Sequence, residues 1–333
     1  MRQEGSNADH LMDPQMEKNL SALNKKKIVL VLGGGGMRGL AHIGVLKALE
    51  KFGIQIAEYV GTSVGSLVGA MAAGGKSVSE MEQVALSMKR KDLLDFDLWG
   101  FLFQRKQIKS LYKGERLYAF IQKVLPVHRF SDLPRPFFAN AVEINMGTNI
   151  FWGVDRLNDL SIVDAVYSSC AVPGVFKPKK IGRGTYVDGG IVDPLPVKFV
   201  KLRNADLIIA VNLGHSFPLT EKAIHWEGLA MLLARSSAIQ SDTILDLNLH
   251  NCLDCPLVII QPDTSGVGLF DFENSKKLIA VGEAEAMRVL INHPLVNPKK
   301  RGFLSGLRRR KNKVKITIDD ENLPGPAWGD PLE

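Results

Sequence analysis

Residues 28–32 read Ile-Val-Leu-Val-Leu, with no polar residue among them. A strand with one wet face alternates polar and apolar. A strand apolar at every position is covered on both faces, as a central parallel strand is. Four glycines follow at once, and Leu40, Ile43, Leu46, Leu49 and Phe52 then recur at helical spacing before Gly53 stops the run. Residues 57–60 read as a second short strand, and 66–73 as a helix of small residues ended by Gly74-Gly75. Strand, helix, strand, helix predicts an α/β fold: a mostly parallel central sheet with helices on both faces. Further strands are expected over 137–144, 149–154, 207–212 and 257–260. Helices are expected over 162–170 and, as an amphipathic closing element, 272–290.

The turn after the second strand carries Gly61-Thr62-Ser63-Val64-Gly65. A G-x-S-x-G between strand and helix places a serine at the tip of a sharp turn with its hydroxyl presented, a nucleophile elbow. Gly61 and Gly65 let the backbone fold back on itself there. A helix-capping serine in a glycine-rich turn fits the same five residues. The turn after the first strand carries Gly34-x-Gly36-x-x-Gly39, with Arg38 inside it. Bare amides at a helix start suit a developing oxyanion, or equally a dinucleotide pyrophosphate, for which Glu58 lies near the distance of a ribose-binding acid. Two such turns on successive strands favour a hydrolase site, because a dinucleotide fold gives no reason for the second motif.

A serine hydroxyl needs a base. Of the seven histidines, His10 is in the N-terminal segment and His42 lies within the first helix. His215, just after the 207–212 strand, comes closest to the position of a late-strand catalytic histidine. Asp188 is the better candidate: it ends a strand, and Gly189-Gly190 let the chain pass tightly, although Asp-Gly-Gly is also an ordinary turn.

Gly34-Gly35-Gly36-Met37-Arg38-Gly39, Gly61-Thr62-Ser63-Val64-Gly65 and Asp188-Gly189-Gly190 occur in this order, with Ser168 to Phe176 ahead of the aspartate. Together they resemble the motifs of patatin-like phospholipases, bacterial members above all, strongly over Lys27 to Val200. The resemblance implies a patatin-like three-layer sandwich and a Ser63–Asp188 dyad without histidine, metal or cofactor. It implies an oxyanion hole of Gly34, Gly35, Gly36 and Arg38, with Gly39, Gly61, Gly65, Gly189 and Gly190 as motif glycines. The expected activity is acyl-ester hydrolysis of lipids, of phospholipase A or lysophospholipase type. A nucleotide-binding module using the 34–39 loop and a non-catalytic membrane adaptor on the same fold are the alternatives. The expected division is a disordered polar tail at 1–26, a catalytic core at 27–200, the remaining strands and closing helix of the same domain at 201–297, and a disordered basic tail at 298–333.

The net charge of +7 is concentrated in one place: nine Lys and Arg and no acid lie between Lys299 and Lys315, with Phe303, Leu304 and Leu307 among them. Anionic headgroups attract such a segment at ~1 kcal/mol per charge. Peripheral contact with an anionic membrane through 299–315 is the expectation, with a merely solvated tail as its equal; no nucleic-acid partner is expected. No apolar run approaches the ~20 residues of a membrane-spanning helix, and residues 1–24 lack the order of a secretory signal. The expected location is therefore cytoplasmic. Cys252-x-x-Cys255 has no second ligand pair to complete a zinc site. Trp99, Phe101, Leu102 and Phe103, beside Arg105, Lys106 and Lys109, read as a helix docked on the core, or else as a lipid-contacting patch.

Overall fold

The computed structural model describes residues 14–96, 110–154, 157, 159–214, 228–250, 252, 256–268 and 271–293. Its first element corrects the expected N-terminal tail: Pro14–Leu23 is a helix, α1. Met16, Leu20 and Leu23 are buried, at spacings of four and three residues that put them on one face. The polar composition of the segment hides this narrow apolar stripe.

In chain order there follow β1 (Ile28–Leu32), a 3₁₀ turn (Gly36–Gly39), α2 (Leu40–Lys51), β2 (Glu58–Thr62) and α3 (Val64–Ala73). Next come α4 (Val78–Ser87), α5 (Arg90–Leu93), β3 (Ser110–Tyr112) and α6 (Glu115–Val124). The second half holds β4 (Phe137–Glu143), β5 (Thr148–Trp152), α7 (Ile162–Cys170), β6 (Gly174–Phe176), β7 (Lys179–Ile181) and β8 (Gly184–Asp188). It ends with α8 (Val197–Lys201), β9 (Leu207–Val211), α9 (Gly228–His250), β10 (Leu257–Ile260) and α10 (Ser275–Asn292).

The main sheet runs β10-β9-β1-β2-β4-β8-β7, with β5 also on β4. The strands from β10 to β4 are parallel, whereas β5 and β8 are antiparallel to β4. Every residue of β1 is buried, as its unbroken apolarity predicts. Ile28, Leu30 and Leu32 enter a core with Leu46 and Leu49 of α2, Val68 and Met71 of α3, and Leu278 and Ile279 of α10. Val29 and Val31 enter a second core with Val197 and Val200 of α8 and Leu245 of α9. Helices thus cover both faces, and the fold is a three-layer α/β sandwich. Each such side chain contributes roughly 1.5–3 kcal/mol by leaving water.

One register detail positions the chemistry. Thr62, the last residue of β2, pairs with Asn140 of β4, and Asp188, the last of β8, pairs with Ala141. β5 takes the opposite edge of β4 across these positions. β2 and β8 therefore approach from opposite directions along one edge, and their carboxyl ends meet.

Candidate active site

Ser63 is the single residue between β2 and α3, with φ 55° and ψ −127°. A non-glycine residue held there stores on the order of 1–3 kcal/mol of strain. The surrounding bonds hold it in place. Its N–H donates to Ser169 Oγ at 2.9 Å, and its carbonyl accepts the Ser66 N–H at 2.8 Å and the Ser66 hydroxyl at 2.6 Å. The turn is so tight that a Cβ on Gly61 would overlap the Gly65 carbonyl, and one on Gly65 the Leu32 carbonyl. Ser63 is 9% exposed.

The Ser63 hydroxyl lies close enough to the Asp188 carboxylate to favour its ionised form. Asp188 Oδ1 accepts the Gly190 N–H at 2.7 Å, and the Asp188 N–H is anchored on the Ala171 carbonyl at 3.0 Å. Gly189 lies against Asn140 so closely that a Cβ there would overlap it. Burial pushes the Asp188 carboxyl up to about 6, opposed by the nearby Ser63 hydroxyl and the bond from the Gly190 N–H. It is therefore ionised at neutral pH, yet a stronger base than a free aspartate. The neighbouring Cys170 thiol is pushed well above its ordinary range by burial and by the Asp188 charge, which keeps it protonated.

The glycine ribbon passes beside the serine: a Cβ on Gly34 would stand 3.5 Å from Ser63 Cβ, and one on Gly39 would overlap the Val64 side chain. The ribbon also corrects the expected oxyanion set. The Gly34 N–H is already donated to the Pro194 carbonyl at 3.1 Å, so Gly34 belongs to the scaffold. The Arg38 guanidinium is almost fully buried, with Nε turned onto the Gly35 carbonyl at 3.1 Å. Burial lowers its pKa, while the Asp242 charge on α9 works against that shift. In a trans peptide N–H and C=O point in opposite directions, so a fixed Gly35 carbonyl turns the Gly36 N–H away from Arg38. Gly36 takes a positive φ of 58°. Among the described residues, neither the Gly35 nor the Gly36 N–H meets a protein acceptor.

Several partners escaped the sequence reading. Asn140 Nδ2 donates to Thr62 Oγ1 at 3.1 Å and to the Asp193 carbonyl at 2.7 Å, which ties β4 to the elbow and to the loop after Asp188. Burial pushes Asp193 up to about 6, opposed chiefly by Asn248 of α9, whose Nδ2 lies 3.2 Å away. Ser241 of α9 donates to the Gly190 carbonyl at 3.1 Å. For Asn140 the signal was a polar side chain within the otherwise apolar run Phe137 to Val142; the others had none. His42 Nε2 lies 2.8 Å from the Gly33 carbonyl.

Glu58 excludes the dinucleotide alternative in the form the sequence allowed. It opens β2, at the opposite end of the strand from the elbow, and is held by Lys27 at 2.7 Å and Arg203 at 2.9 Å. Burial raises its pKa, but the bonds from Arg203 and Lys27 outweigh burial and hold the carboxyl below its ordinary value. Its role is to pin three strand starts together.

A cleft of about 390 Å³ flanks the ribbon, lined by Arg38, Leu213, Gly214 and residues 261–265. His215, Cys255, the aromatic knot at 99–103 and the basic segment at 299–315 lie outside the described residues. Among the described residues no helix is long and apolar enough to cross a membrane.

A family model described as patatin-like phospholipase matches residues 30–201. An uncharacterized NTE family protein of Mycobacterium tuberculosis is 32% identical over 190 residues, covering 57% of this chain and 50% of the relative. The human patatin-like phospholipase domain-containing protein 6 is 33% identical over 196 residues, 58% of this chain and 14% of that protein. The chain thus spans about half the length of the mycobacterial relative it matches. The structure of VipD from Legionella pneumophila shares the fold, with a TM-score of 0.50 at 17% identity over 80% of this chain and 67% of that one.

Proposed function

The chain belongs to the patatin-like phospholipase family, and from that premise we propose that it is a serine acyl-ester hydrolase acting on phospholipids or lysophospholipids. Family membership supports lipid hydrolysis; the assignment of roles to residues is our own reading. The observation that carries it is the strained Ser63 elbow beside the buried Asp188 carboxylate, whose ionised form the Ser63 hydroxyl favours.

In the proposed reaction Ser63 Oγ attacks the ester carbonyl carbon while its proton passes to Asp188. The oxygen that becomes an oxyanion is received by the Gly35 and Gly36 N–H groups, worth roughly 100- to 1,000-fold in rate per donor. Collapse breaks the ester bond, and the leaving alcohol takes the proton from Asp188. Water then gives a proton to Asp188 and attacks the acyl-enzyme. The fatty acid departs and Ser63 recovers its proton. A non-catalytic adaptor would have no use for a strained serine paired with a buried carboxylate.

Fatty-acid release from phosphatidylcholine and lysophosphatidylcholine vesicles tests the reading. Release by the wild type and none by Ser63→Ala supports it; equal release by both, or none by either, removes it. We also propose that residues 299–315 bring the enzyme to anionic surfaces. Flotation with phosphatidylserine vesicles that is unchanged on deleting 298–333 would refute that part.

A further inference from the structure

The ribbon that carries the proposed oxyanion donors is gripped by a histidine the reaction does not use. His42 lies in the first turn of α2, fully buried, with Nε2 2.8 Å from the Gly33 carbonyl. A carbonyl only accepts, so Nε2 carries the hydrogen and Nδ1 is a bare acceptor. Nδ1 is buried without any hydrogen-bond partner among the described residues. Burial pushes the imidazole down to about 4, partly offset by the Gly33 carbonyl. The ring is therefore neutral at the pH of any ordinary hydrolase assay.

Packing does not explain this residue. Ala41, Ile43 and Val45 beside it are buried and apolar, and an unpaired buried nitrogen lowers stability relative to an aliphatic side chain. An aliphatic side chain cannot hold a carbonyl, however. Gly33 stands where the chain leaves the sheet: its N–H still donates to Val211 of β9 at 3.1 Å. The next peptide plane is fixed at both ends, by His42 on the Gly33 carbonyl and by the Pro194 carbonyl on the Gly34 N–H. Two peptides further on, Arg38 fixes the Gly35 carbonyl. Two side chains four residues apart thus set the path of the ribbon before its unpaired amides.

We infer that His42 is a positioning residue whose Nε2–H, by holding the Gly33 carbonyl, sets the trajectory on which the Gly35 and Gly36 amides face the carbonyl attacked by Ser63. The kinetic part of this inference rests on the hydrolase reading; the geometric part does not.

The test compares His42→Leu, His42→Asn and His42→Gln. The glutamine amide can stand where Nε2 stands, whereas asparagine is one methylene too short. kcat and KM are measured on a p-nitrophenyl ester. Backbone hydrogen exchange over residues 33–39 is followed by mass spectrometry without substrate. His42→Leu and His42→Asn should lose about tenfold or more in kcat with KM little changed, as expected when reacting groups are misplaced. Their exchange over 33–39 should quicken, while His42→Gln stays close to the wild type in both. Wild-type kcat in the Leu and Asn variants, a loss in KM alone, or a Gln variant as impaired as Asn would overturn the inference. If His42→Leu does not fold, the Gln and Asn pair gives the answer. If the wild type shows no Ser63-dependent hydrolysis, it is the hydrolase reading that fails. Exchange then decides for His42, and unchanged exchange in the Asn variant overturns its role.

Discussion

The backbone N–H of Ser63 donates to the side-chain oxygen of Ser169 at 2.9 Å. The bond joins the strained elbow to the buried penultimate residue of α7, the helix that precedes β6, β7 and the Asp188 strand β8. Ser169→Ala leaves a buried N–H unpaired, at a cost of roughly 1–3 kcal/mol. The elbow can then relax toward an unstrained backbone. We expect a loss of stability of that size by urea denaturation, together with a fall in kcat. A Ser169→Ala protein with wild-type kcat would mean that the elbow holds itself.

In the proposed mechanism Asp188 sets the acid limb of the activity. It must be ionised to accept the Ser63 proton, and its carboxyl sits at about 6, raised by burial. kcat/KM should therefore be flat above that pH and fall about tenfold per unit below it. His42, at about 4, contributes no limb in that range. A limb near the ordinary aspartate value would mean that the base is exposed in the working enzyme.

The same shift has a consequence for stability. The folded-state pKa of Asp188 lies above its ordinary 3.8, so the folded protein binds this proton more tightly than the unfolded chain does. The ionised carboxylate thus costs stability above about pH 6, and the cost disappears as pH falls toward 3.8. Two units correspond to roughly 3 kcal/mol. Asp188→Asn should be inactive but more stable than the wild type by up to that amount at pH 8, with the gain vanishing near pH 4. Matched urea denaturations at the two pH values read this directly, and equal gains at both would rule out desolvation as the cause.

Gly65→Ala would drive a methyl into the Leu32 backbone carbonyl, separating the end of β1 from the elbow. Overpacking against backbone costs about 1–3 kcal/mol or more, and kcat should fall as Ser63 and the ribbon part. Gly268, where a Cβ meets nothing within 4 Å, provides the control. Gly268→Ala should change neither thermal midpoint nor kcat, and a Gly65→Ala protein that behaves like it would contradict the turn geometry.

The sequence made visible what depends on neighbours in the chain. The unbroken apolarity of β1, the helical spacing of α2, and the glycines at 34–39 and 61–65 are local signals, and the sheet centre and elbow were legible from them. The convergence of Ser63 with Asp188 depends on β8 pairing with β4 one residue beyond β2. Such a register is set by contacts far apart in sequence, so only the resemblance pointed to it. α1 was hidden by its polar composition, and α9 drew no notice, although Ser241 and Asn248 of α9 brace the loop after Asp188. Glu58 shows the opposite failure. Counting residues from the glycines placed it near a ribose, but β2 begins there and does not end there. His42 was set aside as a helix residue; its signal was a histidine in an apolar run one turn beyond the glycine ribbon.

The central claim is that the Ser63 hydroxyl, activated by Asp188, is the nucleophile. Labelling with a fluorophosphonate, followed by peptide mapping, tests it most directly. The account predicts a single modified residue, Ser63, in the wild type, no labelling of Ser63→Ala, and a rate at least ~100-fold lower in Asp188→Asn, the usual scale for losing a general base. Equal labelling of wild type and Ser63→Ala, or an Asp188→Asn protein that reacts as fast as the wild type, would contradict it.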